Sequence, residues 1–253
     1  MANNKRRHAL KMMLALGGGA LLSGCDRLSR SDRFVRLLNT AEPLNEKLQR
    51  ALTGSALARE YTTADISPVF RPNGETDPQN SAYRQLAANQ FADYRLEVGG
   101  RVQAPQRLTL ADIRALPART QITRHDCVEG WSAIGQWTGA RLAALLDLVQ
   151  PMGDANYVVF RCADLWGRSQ EPYYESIDLE EARHPQTLLA YELNGAPLPI
   201  ANGAPLRLRV ERQLGYKMAK YIMAIELVNS FAHIGGGRGG YWEDRGYAWY
   251  AGI

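Results

Sequence analysis

The sequence predicts an α+β domain with mixed or largely antiparallel sheets and short helices. Segments with strand patterns outnumber those with helical spacing, and hairpin turns such as Asn194-Gly195 connect several of the strands. A doubly wound parallel fold fits less well, because it needs a helix after nearly every strand. No internal repeat or low-complexity linker follows Ala92, so residues 93–253 are expected to form one folded domain.

The first strand of this domain follows a polar stretch. Residues 25–92 are expected to form an irregular N-terminal tether, and within them Ser67–Pro78 is typical of an extended loop. Apolar residues then alternate over 94–98, which predicts a strand, and Gly99-Gly100 predicts a hairpin turn directly after it.

Three short helices are predicted from capping residues and from helical spacing. The first is capped by Thr109 and ends near Pro117. The second has Thr138 as its expected cap and places four apolar side chains on one face, namely Leu142, Leu145, Leu146 and Val149. The third begins at Asp178, which stands at capping-box spacing from Glu181.

The remaining pattern predicts four further strands, over residues 156–160, 187–193, 206–211 and 219–228. The second of these enters the Asn194-Gly195 turn. The third alternates apolar with charged residues, which predicts one apolar face (Leu206, Leu208, Val210) and one charged face (Arg207, Arg209, Glu211).

Composition excludes several classes of protein. The chain has 253 residues, of which 45% are hydrophobic and 22% charged, as in an ordinary globular protein. The formal net charge is only +4 and no basic run alternates with aromatics, so we expect no nucleic-acid partner. The three cysteines (Cys25, Cys127, Cys162) include no CxxC or CxxCH spacing, which excludes a disulfide scaffold, a zinc knuckle and attached c-type haem.

Residues 1–24 have the layout of a bacterial export signal: a basic start, a short apolar middle and small residues before a cysteine. Arg6-Arg7 resembles a twin-arginine signal, and Leu22–Cys25 resembles a lipoprotein cleavage box. The alternative is a plain secretory signal with adjacent arginines by coincidence. We therefore expect twin-arginine export, lipidation at Cys25, and a periplasmic protein anchored to the inner membrane.

The segment Arg124–Ser132, RHDCVEGWS, leaves three interpretations of Cys127 open. A buried structural thiol is the ordinary one, although the neighbouring residues are polar. A nucleophile would need a basic partner, which an adjacent side chain in an extended segment does not provide. A metal ligand would be a soft thiolate, suited to a metal whose other ligands come from a cofactor. Zinc is disfavoured because no second ligand lies at the right spacing.

A second segment, Asn202–Lys220, has features of a phosphate site. Its glycines allow the backbone to expose amides, and its cations can add charge-assisted hydrogen bonds. These cations are Arg207, Arg209, Arg212, Lys217 and Lys220. The alternative, chiefly for Arg209 and Glu211, is the solvated face of a strand.

These segments together resemble the sulfite oxidase family of molybdopterin-dependent oxidoreductases. The resemblance rests on CVEGWS followed by WTGARLAALLDLVQP, and on HPQTLLAYELNGAPLPIANGAPLRLRVERQLGYKMAKYI. It runs from about Tyr94 to Val228 and implies a sulfite-oxidase-type molybdopterin-binding domain over residues 93–253. The form CVEGWS is closer to the bacterial periplasmic methionine-sulfoxide reductase branch than to sulfite oxidases proper.

The resemblance implies a molybdenum-molybdopterin cofactor whose metal is bound by the Cys127 thiolate. It also implies cofactor contacts at Asn73, Cys127, Cys162, Asn202, Arg207, Met218, Ala219 and Lys220, with Met218 and Ala219 acting through backbone amides. A turn residue is the alternative for Asn73, and a buried strand cysteine is the alternative for Cys162. Tyr191 matches a catalytic tyrosine of sulfite oxidases, with a tyrosine packed in the core as the alternative.

The chain departs from sulfite oxidases where those enzymes hold their anionic substrate with arginines. Glu129, Gly130 and Trp131 follow the cysteine here, and an acidic, aromatic mouth disfavours sulfite. We therefore expect oxygen-atom transfer that reduces a small S-oxide or N-oxide. Oxidation of a sulfur compound by a sulfite-type dehydrogenase, and a non-catalytic periplasmic binding protein on the same fold, are the alternatives.

Two further expectations concern partners. No haem or iron–sulfur motif is present, so electrons are expected from a separate membrane haem protein or cytochrome. The chain ends without the dimerisation domain of sulfite oxidases, which favours a monomer. Its C-terminal stretch from His233 resembles nothing assignable, and we expect it to cover the entrance to the cofactor, to dock a partner, or to be a flexible end.

Overall fold

The computed structural model describes residues 31–54 and 56–253. They fall into two compact units, one ending at Gly54 and the other spanning Ser55–Ile253. The predicted signal over 1–24 and the lipidation site Cys25 lie outside the described residues. In the part of the chain that the structure describes, no helix combines the length and apolarity needed to cross a membrane.

The first unit is helical, although the sequence predicted an irregular tether. Helix α1 (Asp32–Asn39) is followed by α2 (Ala41–Thr53). In α2 leucines recur at every fourth position, and Arg50 forms an ion pair with Glu46 one turn earlier at 3.1 Å. This local spacing explains the helix. The expectation of an irregular tether followed from the overall polarity of the segment. The leucine side chains remain exposed.

The second unit contains the predicted α+β domain. Its helices are α3 (Ser81–Ala88), α4 (Leu110–Ala115), α5 (Leu142–Val149) and α6 (Leu179–Arg183). Its strands are β1 (Leu96–Gly100), β2 (Gln106–Leu108), β3 (Ala118–Cys127), β4 (Trp131–Arg141), β5 (Tyr157–Trp166), β6 (Glu171–Asp178), β7 (Leu188–Leu193), β8 (Ala196–Pro197), β9 (Arg207–Arg209) and β10 (Ile222–Val228).

The strands form two sheets of mixed and antiparallel pairing, which confirms the predicted fold class. One sheet has the order β2-β1-β10-β5-β6, and the other has the order β3-β4-β7-β8 with β9 also paired to β7. Strands β1 and β10 are parallel, whereas the β3–β4 and β5–β6 pairs are antiparallel. Short antiparallel connections therefore dominate, as expected for strands joined by hairpins.

The main core cluster contains residues of both sheets and of α5. The four residues predicted to share a helical face are all fully buried in it. The predicted caps of α4 and α6 are also present. Thr109 accepts a hydrogen bond from the Asp112 amide at 3.0 Å, and Asp178 accepts one from the Glu181 amide at 2.8 Å.

Two local predictions were wrong. Thr138 does not cap α5, because β4 continues through it to Arg141, and its hydroxyl instead lies 2.9 Å from that of Thr120. The glycines expected to form a turn lie within β1, which ends at Gly100. The solvated face considered as the alternative for Arg209 and Glu211 is not found, since both side chains are buried.

The second unit also includes residues assigned to the tether. Helix α3 begins after Asn80, whose side chain accepts a hydrogen bond from the Tyr83 amide at 3.2 Å. Tyr83 is buried, and its hydroxyl donates to the Ala204 carbonyl at 2.7 Å. Phe70 is buried as well, in a cluster with Trp137. The segment preceding β1 is therefore packed onto the domain.

Candidate active site

Cys127 is the last residue of β3 and faces a cleft. It pairs with Trp131 across the hairpin to β4, and its carbonyl accepts a hydrogen bond from the Gly130 amide at 3.0 Å. Gly130 has a φ of +84°, which favours glycine at this turn. The thiol is half-buried, and burial raises its pKa, although the Glu129 amide and the charge of Arg207 act in the opposite direction. The Cys127 thiol is therefore not enclosed in the apolar core of the domain.

The cleft encloses about 630 Å³, open solvent at its mouth included. Five residues that the resemblance assigned to the cofactor line it together: Asn73, Cys127, Met218, Ala219 and Lys220. They come from the Ser67–Pro78 loop, the end of β3, and the turn between β9 and β10. The fold therefore brings three distant parts of the chain to one cleft.

One end of the cleft is cationic. The Lys220 ammonium donates hydrogen bonds to the carbonyls of Asn73, at 2.7 Å, and Ala201, at 3.0 Å, and to that of Glu75. Burial and the neighbouring Arg207 lower the pKa of Lys220 to about 7. Arg207 is fully buried, and burial together with the charge of Arg209 lowers its pKa to about 9. Lys220 lines this end and Arg207 lies buried behind the wall, so this end of the cleft favours an anion.

Buried donors behind this end lack partners among the residues that the structure describes. Arg207 donates to the Asn202 carbonyl and to the Asn73 side chain, both at 3.1 Å, but its Nε makes no hydrogen bond. The side-chain amide nitrogen of buried Asn202 is also unpaired. A buried donor without an acceptor is unfavourable. These groups fit an anionic, hydrogen-bonding ligand such as the phosphate of a pterin cofactor.

Four predicted residues do not line the cleft: Tyr191, Cys162, Asn202 and Arg207. Tyr191 is buried in the core on β7, with the guanidinium of Arg114 5.2 Å from the centre of its ring. Cys162 is also buried in the core, on β5, and burial raises its pKa well above the usual value. Arg207 lies behind the cleft wall, where it donates to the side chain of Asn73 and to the carbonyl of Asn202.

Asp164 is a cleft residue that sequence reasoning missed. It follows a run of apolar residues in β5 and is buried, with one carboxylate oxygen accepting a hydrogen bond from the Trp166 indole at 2.6 Å. The other oxygen is unpaired. Burial raises its pKa to about 6. An acid among the mostly apolar residues of β5, which also contains Arg161, was the available signal.

The C-terminal strap, defined here as residues 237–253, forms another wall of the cleft. Trp242 and Tyr247 line it, with their rings stacked at 5.3 Å, and Trp242 meets Trp166 edge-on at 5.4 Å. Of the three roles considered for this stretch, the described residues match a cover of the entrance. Their aromatic side chains make this side of the cleft apolar.

A fully buried ion cluster holds the strap. The Lys217 ammonium lies 2.5 Å from a carboxylate oxygen of Glu175 and 2.5 Å from one of Glu243. Lys217 precedes Met218 in the cleft wall, Glu175 belongs to β6, and Glu243 belongs to the strap. The cluster therefore ties three parts of the site together.

Another polar group lies behind the thiol. His125 is fully buried on β3, and Arg209 on β9 contacts its ring. Burial, with the charges of Arg207 and Arg209, lowers the pKa of His125 well below its usual value, so the ring is neutral. Among the described residues, no group of three or more His, Cys, Asp and Glu side chains is arranged to hold a metal ion.

Comparison with known proteins agrees with this geometry. Residues 84–233 match the family model described as the oxidoreductase molybdopterin binding domain. The chain is 39% identical over 250 residues to a putative protein-methionine-sulfoxide reductase subunit, YedZ1, from Azospira oryzae, and the match covers 98% of this chain and 87% of that protein.

Two further comparisons cover smaller shares. The chain is 37% identical over 163 residues to the protein-methionine-sulfoxide reductase catalytic subunit MsrP of Xanthomonas axonopodis pv. citri, covering 61% of this chain and 49% of that protein. The crystal structure of the sulfane dehydrogenase SoxCD from Paracoccus pantotrophus matches with a TM-score of 0.49 and 22% identity, over 55% of this chain and 39% of that one. On the family model and the near full-length relative, the chain is an enzyme of the sulfite oxidase family of molybdopterin-dependent oxidoreductases.

Proposed function

We propose that the protein reduces methionine sulfoxide, with molybdenum bound by the Cys127 thiolate. One observation carries the proposal: a half-buried thiol lies in a cleft between a cationic end with unpaired buried donors and an aromatic wall. The first end suits the phosphate of molybdopterin, and the second suits a neutral, partly apolar substrate. The names of the two curated relatives support this substrate class.

The chain's residues would divide the work of holding the cofactor. Arg207 and Lys220 supply charge for its phosphate, and Asn202 adds an amide donor that has no partner within the protein. Met218 and Ala219 lie beside them in the cleft wall, where backbone amides can donate. The unpaired oxygen of Asp164 is an acceptor for pterin N–H groups.

The reaction consumes two electrons and two protons: R₂S=O + 2 H⁺ + 2 e⁻ gives R₂S + H₂O. The bound cofactor supplies the two-electron oxygen-atom transfer. Val128, Trp242 and Tyr247 offer apolar surface to the substrate's carbon groups, and sulfur packs favourably beside aromatic rings. Glu129, whose carboxylate accepts from the Trp131 indole at 3.0 Å, places negative charge at the mouth and disfavours sulfite.

Electrons would come from a separate haem protein of the membrane or a cytochrome. The relatives' names call them subunits, which supports a further protein in the working assembly. Twin-arginine export, lipidation at Cys25 and a periplasmic location remain our proposals from the sequence. Reduction of the purified enzyme by membrane fractions tests the donor, and failure with every fraction and cytochrome tried would reject it.

The decisive experiment measures metal and activity in one set of variants. Protein from a host that makes molybdopterin should contain about one molybdenum per chain and reduce methionine sulfoxide with a reduced dye as donor. Cys127→Ala should lose both, whereas the matched variant Cys162→Ala should keep both. A wild-type chain that lacks molybdenum would refute the cofactor. A loaded chain that oxidises sulfite but leaves sulfoxides unchanged would refute the reaction.

A further inference from the structure

We propose that His125, held by Arg209 and Glu211, is a positioning residue that fixes the thiol-bearing strand against the phosphate-binding turn. The inference rests on the proposed function for its meaning, because it assigns Cys127 to the metal end of the cofactor and Met218–Lys220 to the phosphate end. The proposed brace consists of the side chains of His125, Arg209 and Glu211.

The His125 ring fills the space between these two ends. It lies two residues before Cys127 on β3, so both side chains point to the same side of the strand. On its other side the ring packs against Gly215, where an added Cβ would lie 2.3 Å from Cε1 and 2.4 Å from Nε2. Gly215 opens the turn Gly215–Lys217 that leads directly into Met218. The imidazole therefore sets how closely the turn approaches the strand.

Two contacts fix the orientation of this ring. Its Nδ1 lies 3.2 Å from an Nη of Arg209 and 3.2 Å from the sulfur of Met218. A guanidinium has donors only, so Nδ1 accepts from Arg209 and the ring proton is on Nε2. That Nε2 is buried and has no hydrogen-bond partner in the described part of the chain. An apolar side chain would avoid this unpaired donor, so stability alone does not account for a histidine here.

Arg209 contacts the Glu211 carboxylate and the Trp137 ring in addition to His125. It donates to both carboxylate oxygens of Glu211, at 2.8 Å and 2.6 Å, and its guanidinium lies 4.3 Å from the centre of the Trp137 ring. Gln121 donates to the same carboxylate at 2.8 Å. The brace therefore runs from Glu211 through Arg209 to His125 and is anchored in the sheet.

The two arginines of β9 have different tasks. Arg207 and Arg209 are two positions apart on β9 and therefore lie on the same side of the strand. Their guanidinium carbons lie 5.4 Å and 4.3 Å from the centre of the Trp137 ring. Glu211 neutralises Arg209, whereas Arg207 donates to the carbonyl of Asn202 and the side-chain oxygen of Asn73 and forms no ion pair among the described residues. Arg207 is thus free to meet an anion, while Arg209 serves the histidine.

The test compares His125→Leu, which removes the acceptor, with His125→Asn, which restores an acceptor close to the position of Nδ1. In the loaded enzyme we expect His125→Leu to change the Mo(V) electron paramagnetic resonance spectrum and to lower kcat about tenfold, with KM within about twofold. His125→Asn should recover most of both. Gly215→Ala, which presses a methyl group into the imidazole, should act like His125→Leu while retaining the histidine.

A second readout needs no cofactor. In protein from a host that cannot make molybdopterin, Cys127 should react several times faster with a thiol reagent in His125→Leu than in wild type, because the end of its strand is less constrained. The matched control is His184→Leu, a second buried histidine outside the cleft, which should leave the rate and the spectrum unchanged.

Each outcome of these measurements either supports or overturns the proposed brace. Wild-type spectrum and thiol reactivity in His125→Leu would overturn the brace, and so would equal changes in His184→Leu, because the effect would then be general loosening. If His125→Leu does not fold, Gly215→Ala and Arg209→Lys carry the same two measurements. Should wild type bind no molybdenum, the proposed function fails, and the thiol reaction still tests the brace.

Discussion

Replacing Lys217 with methionine should loosen the strap and destabilise the whole second unit. The ammonium is fully buried between Glu175 and Glu243, at 2.5 Å from each. Removing it leaves two buried carboxyl groups facing each other without a cation. Loss of one partner from a buried ion pair costs about 3–5 kcal/mol of folding free energy. For a unit of this size, that lowers Tm by roughly 6–20 °C.

The pH dependence of this loss has a definite sign. Burial, followed by the charge of Glu243, raises the pKa of Glu175 well above its ordinary 4.5. A carboxyl whose pKa is higher in the folded state destabilises that state as the pH rises from the ordinary value towards the raised one. Without the charge of Lys217, which lowers it, the pKa of Glu175 rises further. Lys217→Met should therefore cost more stability at pH 8 than at pH 5.

Differential scanning calorimetry at the two pH values measures both effects, and limited proteolysis should cut the strap first. The control is Arg107→Met, which breaks an exposed pair with Glu97 at 2.7 Å and should cost less than about 1 kcal/mol. A Lys217→Met protein as stable as this control, or one whose loss is greater at pH 5, would refute the reasoning.

Three further results are expected. Inorganic sulfate, whose charge is the same at pH 6 and pH 8, should bind the cofactor-free protein more tightly at pH 6, because Lys220, with a pKa of about 7, is mostly protonated there and mostly neutral at pH 8; calorimetric titration should find this difference much smaller in Lys220→Met. Leu146→Ala should cost about 2–5 kcal/mol in denaturant unfolding, since the side chain is fully buried; a loss below 1 kcal/mol would contradict this. Trp242→Ala should raise KM for methionine sulfoxide about tenfold or more while the molybdenum content stays constant; an unchanged KM would exclude this wall from substrate binding.

Features encoded over a few residues were predictable from the sequence. Thr109 and Asp178 cap helices because a cap involves only the next three residues. The buried face of α5 follows from helical spacing alone. Thr138 was misassigned because a strand that runs on into a helix leaves no local mark of its end.

Features that depend on distant contacts were not predictable. Arg209 and Glu211 looked like a solvated face, yet β9 pairs with β7 and both side chains are covered. Nothing near Trp242 indicates that it meets Trp166, which is 76 residues earlier in the chain. The cleft positions of Asn73, Cys127 and Lys220 were expected only because of the family resemblance. Tyr191 and Cys162, expected at the site on the same ground, lie in the buried core cluster.

The strap also bears on when the cleft becomes complete during synthesis. Residues 237–253 leave the ribosome after every strand of both sheets, and Glu243 reaches its partners only then. A nascent chain that stops before Tyr241 contains every strand of both sheets but lacks one wall of the cleft. Until the strap has been synthesised, the cleft beside Cys127 lacks the wall formed by Trp242 and Tyr247. A bulky ligand therefore has wider access to the cleft of the growing chain than to that of the chain with its strap in place.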